Sequence, residues 1–333
     1  FVQRGEAAVL DPYARAEVLL HCGADAVLEL PFPYAASGTE FFATAGVRIL
    51  SALGTDELWF GSECGDLARL QRLSEIAASD AFSERYRKEK GGSRGTAEAF
   101  FSTLVELSGD GVACEPNDIL ALAYMSAIRS CDSRMRPVTV RRVGSAYREE
   151  QTEPGVFPSA MALRRRWENE GAEAILSLLP PKEQEILRRE TEEGRAPARM
   201  ENAERLILGF LRLTSPQILE AFAELSGGLS GRLCRAAESA DSLPALLAAA
   251  ATKKYPNARL QRGILMALTG VTRQDQRAFP AYVRLLGANR QGQRLLREIR
   301  KTSAIPVATR RAEVPKTDAA HRQYFLETQA KAL

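Results

Sequence analysis

The sequence contains few histidines and few cysteines, and this scarcity argues against several kinds of site. Only His21 and His321 occur among the 333 residues, which disfavours a histidine-rich metal site and a Ser-His-Asp triad. The five cysteines are scattered, and none forms a CxxC pair. Because disulfide frameworks and zinc sites depend on grouped cysteines, we expect a reducing, cytoplasmic compartment and no metal site built by the protein.

Long apolar runs are absent as well. No stretch approaches the roughly 18 consecutive apolar residues of a membrane span, so we expect no membrane partner. Hydrophobic residues make up 45% of the chain and charged residues 26%, which is typical of globular proteins. At the usual domain size of about 150 residues, this length favours two domains.

The charge is small in total but unevenly distributed. The formal net charge is +3, yet residues 251–333 contain 17 Lys/Arg and 5 Asp/Glu, which gives +12 there and −9 over residues 1–250. Such asymmetry indicates that the basic end contacts a polyanion. The alternative is a solvated basic surface without a ligand.

Strands and helices alternate in the first part of the sequence. Strand patterns occur at 26–30, 57–60 and 136–143, and helical patterns lie between them, beginning with 12–21 and 39–53. This order predicts an α/β fold with a mostly parallel sheet. After about residue 158 helical patterns dominate, at 159–170, 181–194, 200–213, 215–225, 229–239, 243–251 and 256–268. Late strand candidates lie at 281–286 and 304–309.

The chain begins in a glycine-bearing loop, without a strand to open the sheet. In doubly wound folds the first strand and its loop usually carry the phosphate site. We therefore expect the sequence to lack several tens of N-terminal residues.

Common catalytic motifs are missing: the sequence has no P-loop, no GxGxxG after a strand, no HExxH and no GxSxG. Six segments in order nevertheless resemble the bacterial tRNA(Met) cytidine acetate ligases, a branch of the nucleotidyltransferase-like fold. They are residues 3–6 (QRGE), 25–33 (DAVLELPFP), 59–66 (WFGSECGD), 115–124 (EPNDILALAY), 253–262 (KKYPNARLQR) and 281–292 (AYVRLLGANRQG).

This resemblance implies a reaction, its substrates and two domains. ATP and acetate would give acetyl-adenylate, which would acetylate the wobble cytidine of elongator tRNA(Met), with Mg²⁺ accompanying the ATP. An ATP-binding α/β domain would span residues 1–158, and a basic, helical, tRNA-binding domain would span residues 159–333. The family's HxGH-type motif has no counterpart here, because neither histidine has that setting. We therefore leave the catalytic residues unassigned and expect a chain without the motif to be inactive alone.

Four positions follow from the resemblance as ATP contacts. Gly61 ends an apolar strand, where open α/β sheets bind ligands and a residue without Cβ admits a nucleotide. Asn117 stands at a helix start, where it could read an adenine edge or simply serve as the N-cap. Arg142 ends the third strand beside the backbone of Val143, and its guanidinium suits phosphate. The alternative for Gly61 is a glycine required by the turn after the strand, and the alternative for Arg142 is an arginine on the protein surface.

Three further positions are weaker candidates for the nucleotide site. Arg164 aligns with a family arginine, although Ala162 and Leu163 replace the hydroxyl and the isoleucine expected before it. Gln3 and Arg4 belong to a polar loop that the resemblance makes a wall of the active site. An ordinary helix-surface arginine and an ordinary connecting loop are the alternatives.

The tRNA contacts are expected in the basic end of the chain. Lysine and arginine side chains position RNA by its phosphates, and an aromatic ring can stack on an unpaired base. The candidates are Lys253, Lys254, Tyr255, Arg259, Arg262, Arg290 and Arg294.

Two other functions remain open at this point. A small-molecule adenylyltransferase with a helical appendage would have its basic patch turned away from the nucleotide crevice. A non-catalytic RNA-binding relative would bind tRNA without the geometry of an ATP pocket.

Overall fold

The strands form two small sheets. A computed structural model describes residues 1–90, 96–109, 115–143 and 158–333. The strands in the described residues are β1 (Ala26–Leu28), β2 (Glu57–Ser62), β3 (Arg136–Arg141), β4 (Val283–Ala288) and β5 (Val307–Ala308). One sheet has the order β1-β4-β5 and the other pairs β2 with β3.

The helices up to residue 143 pack around these strands. They are α1 (Pro12–His21), α2 (Thr39–Ala52), α3 (Leu67–Ala77), α4 (Asp80–Lys90), α5 (Thr96–Ser108) and α6 (Pro116–Ser130). The first begins as the sequence predicts, because the Asp11 carboxylate accepts hydrogen bonds from the backbone N–H groups of Tyr13 and Ala14, and Pro12 at the first helical position lacks an N–H to satisfy.

Helices dominate the rest of the chain. They are α7 (Ala160–Glu170), α8 (Glu173–Leu176), α9 (Pro181–Glu192), α10 (Glu204–Leu213), α11 (Pro216–Leu219), α12 (Leu229–Ser239), α13 (Leu243–Ala250), α14 (Asn257–Thr269), α15 (Arg273–Arg277), α16 (Arg290–Thr302) and α17 (Asp318–Ala332). Fully buried leucines of α10, α12, α13 and α14 form one hydrophobic core, so the apolar faces of these helices hold this part together.

The pair β2·β3 is parallel, with Gly61 opposite Val140 and Ser62 opposite Arg141. Leu58 and Phe60 of β2 are buried, whereas Trp59 between them is exposed. This alternation places one face of the pair on a core that α3 and α6 complete.

The other sheet joins the first and last parts of the chain. Strand β4 pairs antiparallel with β1, with Ala26 opposite Ala288, and parallel with β5. Two of the three strand pairings are therefore parallel, as predicted, but the antiparallel pairing of β1 was not. Strands from both sides of the expected domain boundary at residue 158 therefore belong to one sheet.

Some helical segments also differ from the sequence-based prediction. The helix predicted over 215–225 is limited to α11, because Phe222 instead forms a β-bridge with Thr272 and Glu224 has a positive φ of 67°, which a helix cannot contain. Residues 200–203 form a 3₁₀ turn before α10. Helix α17 was not predicted at all.

Candidate nucleotide site and basic surface

Gly61 and Arg142 lie side by side at the carboxyl end of the β2·β3 pair. The backbone N–H of Arg142 donates to the carbonyl oxygen of Ser62 over 2.9 Å. A Cβ added to Gly61 would lie 3.3 Å from Cγ of Arg142. Any side chain at Gly61 would therefore press on the Arg142 side chain at the edge where open α/β sheets bind ligands.

Asn117 is connected to the same edge through Glu63, a residue that was not predicted from the sequence. The Asn117 side-chain nitrogen Nδ2 donates to Oε1 of Glu63 over 2.6 Å. The backbone N–H groups of Asn117 and Asp118 donate to Oε2 of Glu63 over 3.1 and 3.0 Å. Arg142 Nη1 lies 3.5 Å from Oε1 of Glu63. One carboxylate therefore holds together three elements: the end of β2, the end of β3 and the start of α6.

Asp118 of α6 in turn accepts hydrogen bonds from the loop that contains Glu63. Its Oδ1 accepts the backbone N–H groups of Glu63 and Cys64 over 2.9 and 3.2 Å, and the residue is 4% exposed. The result is a reciprocal set of hydrogen bonds between the loop after β2 and the first turn of α6. Glu115, and not Asn117, is the N-cap residue, so the interpretation of Asn117 as the N-cap was wrong; the Glu63 carboxylate satisfies the free N–H groups instead.

The remaining sequence-predicted nucleotide residues lie apart from this cluster or are exposed. Val143 is 80% exposed. The Gln3 side chain donates to the carbonyl oxygen of Ser37, and Arg164 pairs with Glu6 at 3.1 Å. The contacts of Gln3 and Arg164 thus tie the first loop of the chain to the start of α2 and to α7. Arg4 belongs to that loop, where Gly5 has a φ of +79°.

The loop before α14 presents lysines but buries its aromatic ring. Lys253 and Lys254 are exposed, whereas Tyr255 is 8% exposed and its hydroxyl donates to the carbonyl oxygen of Gly227. Lys254 Nζ and Arg259 Cζ each lie 5.3 Å from the centre of the Tyr255 ring. The ring therefore stacks with cations of its own chain, at a distance that favours a cation–π interaction.

Arg262 is committed to an internal ion pair. Its Nη2 lies 3.3 Å from Oε2 of Glu224, and the two side chains are 13% and 11% exposed. The other oxygen of Glu224 accepts from the backbone N–H of Gly38 and from Nε2 of Gln276, both over 3.2 Å. Glu224 thereby connects α14, α15 and the start of α2. The positive charge of Arg262 is therefore neutralised inside the protein and is not available to a partner.

Helix α16 presents a basic face to solvent. Its apolar residue Leu296 is buried, while Arg290 and Arg294 are exposed. Within residues 158–333, neither of these two arginines has an ion-pair partner, whereas Lys301 on the same helix pairs with Glu298 at 2.9 Å. Unpaired, exposed arginines are the kind of group that binds phosphate at low desolvation cost.

A cavity of about 850 Å³ connects the lysine loop with α6. Lys253, Lys254 and Arg259 line one side, and Ile119 and Ser126 of α6 line another. The helix whose first turn carries Asn117 therefore also forms a wall facing the basic loop.

A second cavity, of about 710 Å³, lies between α1, the residues before α10 and the end of α17. Arginines line it, among them Arg15, Arg195 and Arg284. Gly61, Asn117 and Arg142 are not among its lining residues.

Two kinds of feature are absent from the described ranges. Residues 1–90, 96–109, 115–143 and 158–333 contain no group of three or more His, Cys, Asp or Glu side chains able to hold a metal ion. Among the helices in these ranges, none has the length and apolar character that crossing a membrane requires.

The fold is that of a nucleotidyltransferase-like protein. The family model described as HIGH Nucleotidyl Transferase matches residues 1–333. A match over this range gives no support to the expectation that an N-terminal segment is absent.

Curated relatives and solved structures narrow the class. The chain is 31% identical over 322 residues to the tRNA(Met) cytidine acetate ligase of Caldanaerobacter subterraneus, with 94% of this chain and 80% of the relative covered. It is 33% identical to the ligase of Syntrophotalea carbinolica, with 93% and 75% covered. The apo structure of Thermotoga maritima TmcAL superposes with a TM-score of 0.92 at 30% identity, covering 99% of this chain and 84% of that one. A structure of that protein bound with alpha-thio ATP gives a TM-score of 0.89, with 30% identity and 99% and 83% covered. The chain therefore belongs to the tRNA(Met) cytidine acetate ligase family.

Proposed function

We propose that this protein is an ATP-dependent acetate ligase that forms 4-acetylcytidine at the wobble position of elongator tRNA(Met). The observation that carries the nucleotide half of this proposal is the convergence of Gly61, Asn117 and Arg142 around Glu63. These residues come from three separate elements and meet at the sheet edge where this class of fold binds nucleotides.

The reaction proceeds in two steps, adenylation of acetate and transfer of the acetyl group to the cytidine. An acetate oxygen attacks the α-phosphorus of ATP, the bond to the β-phosphate oxygen breaks, and pyrophosphate leaves with acetyl-adenylate formed. The cytidine amine then attacks the acetyl carbon, AMP leaves as the anhydride bond breaks, and the nitrogen loses a proton. Both steps develop negative charge on phosphate oxygens, so the enzyme contributes mainly positioning and charge stabilisation.

Each part of the cluster has a distinct role in this proposal. Gly61 leaves the backbone of β2 open to the nucleotide, with the Val143 backbone beside it. Arg142 supplies positive charge for the phosphates. Asn117 contacts the base. Gln3 and Arg4 of the loop that precedes α1, together with Arg164 of α7, which pairs with Glu6 of that loop, are weaker candidates for contacts to the nucleotide. The catalytic groups remain unassigned.

Magnesium enters this proposal as a companion of ATP. The described residues offer no cluster that could hold a metal ion by themselves. Mg²⁺ characteristically keeps several waters and binds substrate phosphates, so the triphosphate itself would supply its ligands, and the protein would not hold the ion in its absence.

The proposed tRNA surface consists of lysine and arginine side chains of residues 159–333, while residues 1–158 hold the nucleotide. Lys253, Lys254, Arg259, Arg290 and Arg294 offer the contacts to phosphate. The burial of Tyr255 and the ion pair of Arg262 favour a supporting role for these two residues. The cavity that joins the lysine loop to α6 supports a base reaching towards the nucleotide from this side.

Binding measurements on the full chain test both halves. In calorimetry, Arg142→Ala should weaken ATP binding at least tenfold, and in filter binding it should leave the affinity for elongator tRNA(Met) within twofold. The matched control is Arg136→Ala at the opposite end of β3, which should change neither affinity. Equal loss of ATP and tRNA binding in Arg142→Ala would contradict the division of labour. Binding of ATP without any binding of tRNA would favour a small-molecule adenylyltransferase.

A further inference from the structure

The carboxamide of Asn117 is held in one orientation. Its Nδ2 donates to Oε1 of Glu63 over 2.6 Å, and this places Oδ1 on the opposite side of the amide carbon. No group in the described part of the chain donates a hydrogen bond to that Oδ1. The side chain is half-buried, so it presents a fixed acceptor that has no partner among the described residues.

The chemistry of Glu63 enforces this orientation. An ionised carboxylate accepts hydrogen bonds but donates none, so only the NH₂ end of the amide can face it. An amide flipped by half a turn would bring two acceptors together at hydrogen-bond distance. Asn and Gln amides can usually rotate to suit a ligand, but here the neighbour permits one state.

Glu63 itself is fixed from two sides. Its Oε2 accepts the backbone N–H groups of Asn117 and Asp118, and its own backbone N–H donates to the buried Asp118 carboxylate over 2.9 Å. The carboxylate therefore cannot move aside when a ligand arrives, because two peptide groups and a reciprocal hydrogen bond hold it in place.

We propose that Glu63 is a positioning residue for base selection: it orients Asn117 so that the outward Oδ1 accepts from the exocyclic amine of adenine and repels the carbonyl oxygen of guanine. This inference rests on the proposed nucleotide site. A site built to pair with one polar group discriminates strongly against an analogue that offers the opposite polarity, since a buried acceptor is then left unpaired.

The experiment measures ATP and GTP dissociation constants by calorimetry on the full chain. The wild-type protein should prefer ATP by at least tenfold. Glu63→Gln gives the neighbour a donor as well as an acceptor, so the Asn117 amide can flip. We expect the ratio of GTP to ATP dissociation constants to fall at least fivefold in this variant. Glu57→Gln, at the far end of the same strand, is the matched control and should keep the wild-type ratio.

A charge exchange separates orientation from folding. Asn117→Asp alone places two carboxylates against each other and should weaken ATP binding at least tenfold. Adding Glu63→Gln supplies an NH₂ group that donates to the new Asp, so the double variant should recover most of the affinity for ATP.

Three results would overturn the proposal. One is equal weakening of ATP and GTP binding in Glu63→Gln, which would indicate a structural role only. Another is a double variant no better than Asn117→Asp. Absence of any ATP binding by the wild-type chain would overturn the proposed nucleotide site itself and this inference with it. In contrast, either of the first two results, obtained with a wild-type chain that binds ATP, would overturn this inference alone.

Discussion

Arg262 and Glu224 form an ion pair over 3.3 Å in which neither side chain is more than 13% exposed. The arginine belongs to the basic run counted at the end of the chain, yet the fold uses its charge internally. The net charge of a region therefore overstates the number of cations that a partner can reach.

Breaking this pair should destabilise the protein strongly. Removing one partner of a buried pair leaves an uncompensated charge, which typically costs about 3–5 kcal/mol. We expect Glu224→Ala to lower the free energy of unfolding by an amount in this range, measured by urea denaturation. Arg294→Ala removes an exposed arginine without a partner in the described ranges and should change stability by less than about 0.5 kcal/mol. Similar values for the two variants would contradict the internal role of the pair.

Two glycines should respond oppositely to the same substitution. A Cβ at Gly292 would lie 1.8 Å from the carbonyl oxygen of Asp25, whereas a Cβ at Gly46 in α2 would have no neighbour within 4 Å. Gly292→Ala must push the start of α16 away from Asp25, so the melting temperature of this variant should fall by several degrees. Gly46→Ala should raise stability by about 0.5–1 kcal/mol, because alanine is the better helix former. Thermal melting of both variants checks the prediction, and destabilisation by both would refute it.

The salt dependence of tRNA binding should identify the RNA surface. Each phosphate contact contributes roughly 0.7–0.9 to the slope of log K against log salt. Changing Lys253, Lys254, Arg290 and Arg294 together to Ala should therefore reduce the slope by about three units if all four touch phosphate. Lys182→Ala, which removes an exposed lysine from α9, should leave the slope unchanged. A wild-type slope in the fourfold variant would make these side chains a solvated surface only.

Acid stability should depend on Glu190. Hydrogen bonds from Arg195 over 2.7 and 2.9 Å, together with one from Arg189, lower the pKa of Glu190 to about 2. Since the unfolded glutamate titrates near about 4.3, this group stabilises the fold fully above that pH. The contribution is lost as the pH falls towards 2, because the unfolded state then binds the proton first.

Glu190→Gln removes this titration and provides the comparison. Its free energy of unfolding should be lower than that of the wild-type protein at pH 7, by about 1–3 kcal/mol for hydrogen bonds to a charged group. The difference should shrink between about pH 4.5 and pH 2, which urea denaturation at several pH values measures. A constant difference across that range would show that the carboxylate charge is not what stabilises the contact.

The sequence by itself determined the elements whose signals are local. Asp11 and Pro12 lie next to the helix they start, so α1 was predicted with its observed bounds. The apolar run Leu58–Phe60 predicted β2 for the same reason, although the strand extends to Ser62 and not only to residue 60. The six segments that resemble the ligase family also indicated that family, because comparing them along the sequence does not require knowing which residues are in contact.

Only the tertiary structure decided which residues meet. Glu63 contacts Asn117 across 54 positions of sequence, and Glu224 contacts Arg262 across 38. No local pattern marks either glutamate as a partner, because a carboxylate in a loop has the same sequence signature whether it faces solvent or a helix start. The antiparallel pairing of β1 with β4 likewise follows from long-range packing, in which Ala26 lies opposite Ala288. The composition gives the number of charged residues in this protein, but the fold determines which of them remain accessible to a binding partner.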